Sequence, residues 1–238
     1  MTAYIYDKDG ERGLLEKYKY ILICGHYGCG KTNLALNLAA DFSSKGMRVT
    51  LVDLDIVNPY FRSSDFKSAI DKMNVRLIAP AFAHSNVDLP SLPTEMYSIF
   101  DDNSDKVIID VGGDDQGAVA LGRFSNKIKA TENYCMVYVV NKFRPLSATG
   151  KDALEILSEI EAASRIKADA IINNSHLMAE TTAEDIISSV DYARQISDAL
   201  SIPVIATTVP KALYNETANS VDNLYAIDIY VKPPWADN

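Results

Sequence analysis

Cysteine and histidine are scarce in this chain of 238 residues, three of each, and basic residues are outnumbered: 23 Lys and Arg face 32 Asp and Glu, a net charge of −9. Cys24, Cys29 and Cys135 form no C-x-x-C pair, which disfavours a closed zinc site and fits reduced thiols in a cytoplasm. An acidic surplus is the reverse of what a duplex-binding domain carries, so nucleic acid is disfavoured as a partner. Long apolar runs are missing too. None approaches the ~20 residues that span a bilayer, and MTAYIYDKDGERG lacks the apolar stretch of a signal peptide. The tail NLYAIDIYVKPPWADN has one lysine and two helix-interrupting prolines, so it does not read as a basic amphipathic membrane anchor. Linker-like tracts, repeats and low-complexity segments are absent. One domain over 1–238 is expected, with a short extension at 1–18 and a tail at 225–238.

What the chain does have is 47% apolar residues, gathered into short runs rich in β-branched side chains: YILIC (20–24), RVTLVD (48–53), VRLIAP (75–80), KVIIDV (106–111), YCMVYVV (134–140), ADAIIN (168–173) and PVIATT (203–208). These read as buried strands. Between most of them, apolar residues recur at helical spacing, as in Leu34, Leu38 and Phe42, or Ala153, Ile156, Leu157 and Ile160. The alternation predicts an α/β fold: a mostly parallel central sheet of about seven strands in a Rossmann-like three-layer arrangement, with helices on both faces. A covering helix is expected over 181–200, opened by a threonine with Glu184 or Asp185 three residues on.

The chemistry concentrates after the first strand. Gly25-His26-Tyr27-Gly28-Cys29-Gly30-Lys31-Thr32 matches G-x-x-x-x-G-K-[ST] and stands between a strand and a helix, where such a loop must stand to cradle phosphates. Glycines let backbone N–H groups turn inward, the helix N-terminus adds its positive end, Lys31 reaches the β- and γ-phosphates, and Thr32 offers an oxygen to Mg²⁺. The second strand ends in VDLDIVNP, which puts Asp53 and Asp55 on one side of an extended segment. The fourth ends in IIDVGGDDQG, with Asp110 where a metal or its water shell needs an anion and Gly112 and Gly113 free to approach a γ-phosphate.

This combination resembles the MinD/ParA-type P-loop NTPases of the SIMIBI class, in the CobQ/CobB/MinD/ParA group that also holds metal-insertion NTPases, dethiobiotin synthetase and the cobyrinic acid amide synthases. The resemblance runs from about Lys19 to about Leu213. It implies that Gly25 through Asn33 surround the nucleotide, with Lys31 on phosphate and Thr32 on phosphate and Mg²⁺. It further implies Asp53 near the metal's water shell, Asp110 as the Walker B carboxylate, Asp55 orienting the attacking water, and Gly113 as the amide that senses the γ-phosphate. One departure stands out. His26 occupies the place of the signature lysine that reaches across a dimer in this group, and Tyr27 the place of a glycine. Histidine is at best a partial replacement for that charge.

The segment Asn141-Lys142-Phe143-Arg144 begins like the guanine-reading N-K-x-D but ends in arginine. By the family layout the base contact falls to Asn173 or Asn174, flanked by Val209-Pro210. An asparagine suits the adenine edge, so ATP is expected as the nucleotide, with GTP the second choice. Cys29 has the alternative readings of a redox switch and a plain small loop residue. His84, beside Asn86 and Asp88, is a candidate contact for a substrate or partner, and Asp114, Asp115 and Arg123 are either partner-facing or an ordinary helix start. The expected function is a cytoplasmic, Mg²⁺-dependent ATPase that forms a nucleotide-dependent homodimer and switches an unidentified protein partner. Two rivals remain: a metabolic enzyme of the dethiobiotin synthetase or cobyrinic acid amide synthase type, and a nucleotide-binding module that does not hydrolyse.

Overall fold

Tyr20–Cys24 forms strand β1, every side chain of which is buried, as a run of branched and aromatic residues with no polar face requires when both sheet faces are covered. The computed structural model describes residues 13–55, 70–79 and 95–231. Within them β1 is followed by helix α1 (Lys31–Ser44), β2 (Val49–Asp53), β3 (Arg76–Ile78), the single helical turn α2 (Glu95–Ser98), β4 (Lys106–Asp110), α3 (Asp115–Ala130), β5 (Tyr134–Val140) and α4 (Gly150–Ser164). Then come β6 (Ala170–Asn173), α5 (Ala183–Ser188), α6 (Val190–Leu200), β7 (Val204–Pro210), the turn α7 (Tyr214–Thr217) and β8 (Leu224–Ile227).

The strands form one sheet in the order β3-β2-β4-β1-β5-β6-β7-β8, and every neighbouring pair is parallel. Alternate side chains of each strand divide between two cores. In β1, Ile21 and Ile23 pack with Leu34, Leu38 and Phe42 of α1. Tyr20, Leu22 and Cys24 pack with Leu121 and Phe124 of α3, Leu157 of α4 and Ile196 of α6. The three-layer α/β expectation is therefore met.

Three details differ from the sequence reading. The sheet has eight strands rather than about seven: Leu224–Ile227, which runs into the tail expected from residue 225, adds an edge strand whose side chains alternate half-buried and buried. So short a segment carries too few periods to stand out in sequence. The helix expected over 181–200 is divided at Ser189, whose hydroxyl bonds back to Ile186 O at 2.7 Å, although the threonine cap is there, as Thr182 with Asp185. Residues assigned to the N-terminal extension are partly docked, since Leu15 is fully buried and Lys106 Nζ donates to the carbonyls of Leu15, Glu16 and Tyr18.

Because β1 lies between β4 and β5, the loop leaving its carboxyl end is flanked by the carboxyl ends of both neighbours. In an open parallel sheet that is where ligands bind.

Candidate functional site

The loop from Gly25 to Gly30 turns directly into α1. Gly30 takes the N-cap position with φ 88° and no side-chain cap, a conformation that favours glycine. Space demands glycine here as well, because a β-carbon would meet Asn174 Nδ2 at 2.2 Å. The first amides of a helix have no intrahelical partner, so those of Lys31, Thr32 and Asn33 stand at a positive helix end suited to an anion. Lys31 is mostly buried and its Nζ donates to His26 O at 3.1 Å. Tyr27, by contrast, is 57% exposed at the tip of the loop.

On the β4 side, Thr32 Oγ1 donates to Asp110 Oδ2 at 2.6 Å. Asp110 Oδ1 is buried with no hydrogen-bond partner. Burial pushes the Asp110 carboxyl up to about 6, with Asp55 acting in the same direction and Lys31 and Thr32 opposing. Asp53 is the register partner of Asp110 across β2 and β4, and its Oδ1 accepts from Asp55 N at 2.8 Å. β2 ends at Asp53, so Asp55 follows a turn pinned by that carboxylate. Asp55 therefore lies beyond the strand, where side-chain alternation no longer sets its direction.

The turn after β4 leans on the loop. A β-carbon on Gly113 would lie 2.6 Å from Tyr27 Cα and 2.7 Å from Lys31 Nζ, so only glycine allows this approach. Asp114 caps α3 by accepting from Gly117 N at 2.9 Å, which assigns it to the helix start.

Among the described residues no three His, Cys, Asp or Glu side chains gather into a metal cage. Mg²⁺ in phosphate sites is commonly held by one or two carboxylates with water and phosphate oxygens. The orphaned Asp110 oxygen beside the Thr32 hydroxyl fits that requirement.

The β5 and β6 ends revise the expected base contacts. Asn173 is fully buried; its Nδ2 donates to Ser189 Oγ at 2.8 Å and its Oδ1 accepts from Ser175 Oγ at 2.7 Å. Asn174 is 2% exposed, donates to Cys29 O at 2.7 Å and accepts from Thr208. Both amides hold the fold together, the second by bracing the loop, and neither side chain has surface left to read a base. Asn33 is similarly engaged, accepting from Tyr230 N at 2.8 Å and donating to Asp228 O at 3.0 Å. Pro210 ends β7 half-buried. Cys29 is buried, and burial pushes its thiol up, which suits a packing role better than a redox switch. His84, Asn86 and Asp88 lie outside the described residues.

Two residues that sequence reasoning did not place in the site stand beside the loop. A β-carbon built on Gly28 would lie 3.1 Å from Arg144 Cζ, and one built on Gly30 would lie 3.1 Å from His176 Nε2. His176 Nδ1 accepts from Met178 N at 3.2 Å, which puts the ring proton on Nε2. Burial, with the charge of Arg144, holds this histidine down to about 4, so it is neutral near pH 7. The only sequence signals were an arginine closing Asn141-Lys142-Phe143-Arg144 and a histidine two residues beyond Asn174.

A glycine-rich loop between a buried strand and a helix, with a Thr–Asp pair at its base, defines a P-loop nucleotide-binding domain. The family model described as CobQ/CobB/MinD/ParA nucleotide binding domain matches residues 21–185, and the chain belongs to that family. Among solved structures it is similar to the cell division protein FtsY of Thermotoga maritima, with 18% identity, 78% of this chain and 59% of that chain covered, and a TM-score of 0.53. It is also similar to the signal recognition particle receptor FtsY of Elizabethkingia anophelis, with 22% identity, coverage of 83% and 60%, and a TM-score of 0.52. A third is the signal recognition particle 54 kDa protein of Aeropyrum pernix in complex with GDP, with 14% identity, coverage of 85% and 42%, and a TM-score of 0.54. At these identities the likeness concerns the fold, and the chain spans about three-fifths or less of those structures. No curated protein matches the chain. Among the described residues no helix is long and apolar enough to cross a membrane.

Proposed function

We propose that the protein is a Mg²⁺-dependent ATPase whose nucleotide state controls self-association and the binding of a protein partner. The observation that carries this reading is the Thr32–Asp110 pair at 2.6 Å with its second carboxylate oxygen unpartnered, directly beneath a loop whose amides and Lys31 suit a polyphosphate. Mg²⁺, when bound, neutralises charge on the β- and γ-phosphates. Thr32 and Asp110 would hold it, with Asp53 supporting its water shell. Lys31 exchanges its carbonyl partner for phosphate oxygens, Asp55 orients the attacking water in line, and Gly113 offers its amide where γ-phosphate charge develops. Tyr27, exposed at the loop tip, is suited to pack on a second copy of the chain.

The Aeropyrum neighbour was solved with GDP. In this chain an arginine takes the position of the guanine-reading aspartate, and a guanidinium cannot accept from the guanine ring N–H groups. ATP is therefore favoured over GTP.

Isothermal titration of Mg-ATP into the parent and into Lys31→Ala tests the reading. The variant should keep its circular dichroism spectrum and lose measurable binding. Unchanged affinity in a folded Lys31→Ala protein would end the P-loop assignment. Phosphate release that begins only when a small acceptor is added would instead favour the metabolic-enzyme rival.

A further inference from the structure

Among the described residues only two buried side-chain polar atoms lack a hydrogen-bond partner, Asp110 Oδ1 and Arg144 Nε. Both lie against the same loop. Unsatisfied buried groups are rare enough in folded proteins that each calls for a specific explanation. Metal-supported phosphate binding accounts for the Asp110 oxygen, on the β4 side, and leaves the arginine, on the β5 side, unexplained.

Arg144 is held in place by its backbone. Its N–H donates to Asn141 O at 3.3 Å and its carbonyl accepts from Ser147 N at 3.0 Å, while Asn141 is fully buried. The Asn141 amide ties the turn to the β6 end, with Oδ1 accepting from His176 N and Nδ2 donating to His176 O, each at 3.3 Å. This platform brings the guanidinium over Gly28: a β-carbon there would lie 3.1 Å from Cζ, 3.3 Å from Nε and 3.4 Å from Nη2. No carboxylate forms an ion pair with it among the described residues. Nearby His176 is kept neutral, so it adds no competing positive charge. A planar five-donor cation, half-buried and without an anion, suits carboxylate or phosphate oxygens, and beside a glycine-rich loop at a helix N-terminus the anion is phosphate.

We propose that Arg144 is a phosphate-binding residue, supplying from within the same chain the second cation that the loop lacks at His26. The proposal rests on the nucleotide reading above and adds to it that the charge is delivered by the β5 turn rather than by a partner copy. The contact is to the phosphate chain, so it is indifferent to the base.

The test compares the full-length parent, Arg144→Met, Arg144→Lys and Lys31→Ala by titration with Mg-ATP, Mg-GTP and adenosine, alongside ligand-free melting curves. Arg144→Met should weaken whichever nucleotides the parent binds by about 10- to 100-fold, the range of a charge-assisted hydrogen bond. Any affinity for adenosine should stay unchanged. Its ligand-free melting temperature should equal or exceed the parent's, because an unsatisfied buried donor has been removed. Arg144→Lys, which keeps the charge and loses the planar fork, should fall between. Nucleotide affinity within twofold of the parent in Arg144→Met, with Lys31→Ala inactive in binding, would overturn the arginine proposal alone. A comparable loss toward adenosine, or a melting temperature well below the parent's in both Arg144 variants, would assign the residue to the base or to the fold and overturn it as well. A parent that binds neither nucleotide would end both readings.

Discussion

Replacing the Asp110 carboxylate by its isosteric amide isolates the electrostatic cost of the site. Asp110 is 1% exposed, and burial moves its carboxyl from the ordinary 3.8 to about 6, Asp55 adding to the rise and Lys31 and Thr32 opposing it. A rise of about two units corresponds to ~3 kcal/mol at 1.36 kcal/mol per unit. The folded state therefore favours the protonated form. Relative to a neutral residue, the parent keeps its full stability below the unfolded pKa and loses ~3 kcal/mol as pH rises through about 6. Asp110→Asn should escape that loss. Its amide leaves a donor where Oδ1 stood, at a cost of ~1–3 kcal/mol, but this cost does not depend on pH and cancels when the two proteins are compared across pH. Urea unfolding of both, with EDTA and no nucleotide, should show the stability difference moving toward the variant by ~2.4 kcal/mol between about pH 4 and pH 7.5. Mg-nucleotide should stabilise the parent and have much less effect on the variant. A difference that stays flat across this range would refute the claim that Asp110 is buried at a cost to its anion.

Two further outcomes follow from the proposed function. Asp55→Ala should keep ATP affinity and lose ~10²–10⁴-fold in turnover, the usual contribution of a positioned base, and light scattering should show any ATP-dependent dimer strengthened; parent-like hydrolysis would remove Asp55 from the mechanism. In competition at equal Mg²⁺, ATP should bind more tightly than GTP because no guanine-reading carboxylate follows Asn141-Lys142-Phe143, and equal or tighter GTP binding would reverse the choice of base.

What could be read from the sequence were features whose physics is local. A five-residue apolar run followed by G-x-x-x-x-G-K-T specifies a buried strand, a phosphate-sized turn and a helix start without reference to the rest of the chain. Likewise Asp110 closes its strand next to two glycines, and the strand and helix periods alone imply a parallel sheet with two covered faces. Tertiary structure decided what depends on which strands become neighbours. The expected roles of Asn173 and Asn174 changed because β5, β6 and β7 lie side by side, so that Ser189, Cys29 O and Thr208 reach those amides before any base could. β8 needed an existing sheet edge to pair with, since its four residues carry too little periodicity to declare themselves. Arg144 and Gly28 are more than a hundred positions apart in the chain, and no spacing rule connects them. Their contact exists because β1 pairs directly with β5, and a long-range pairing is set by the packing of the whole sheet, which local sequence pattern does not encode.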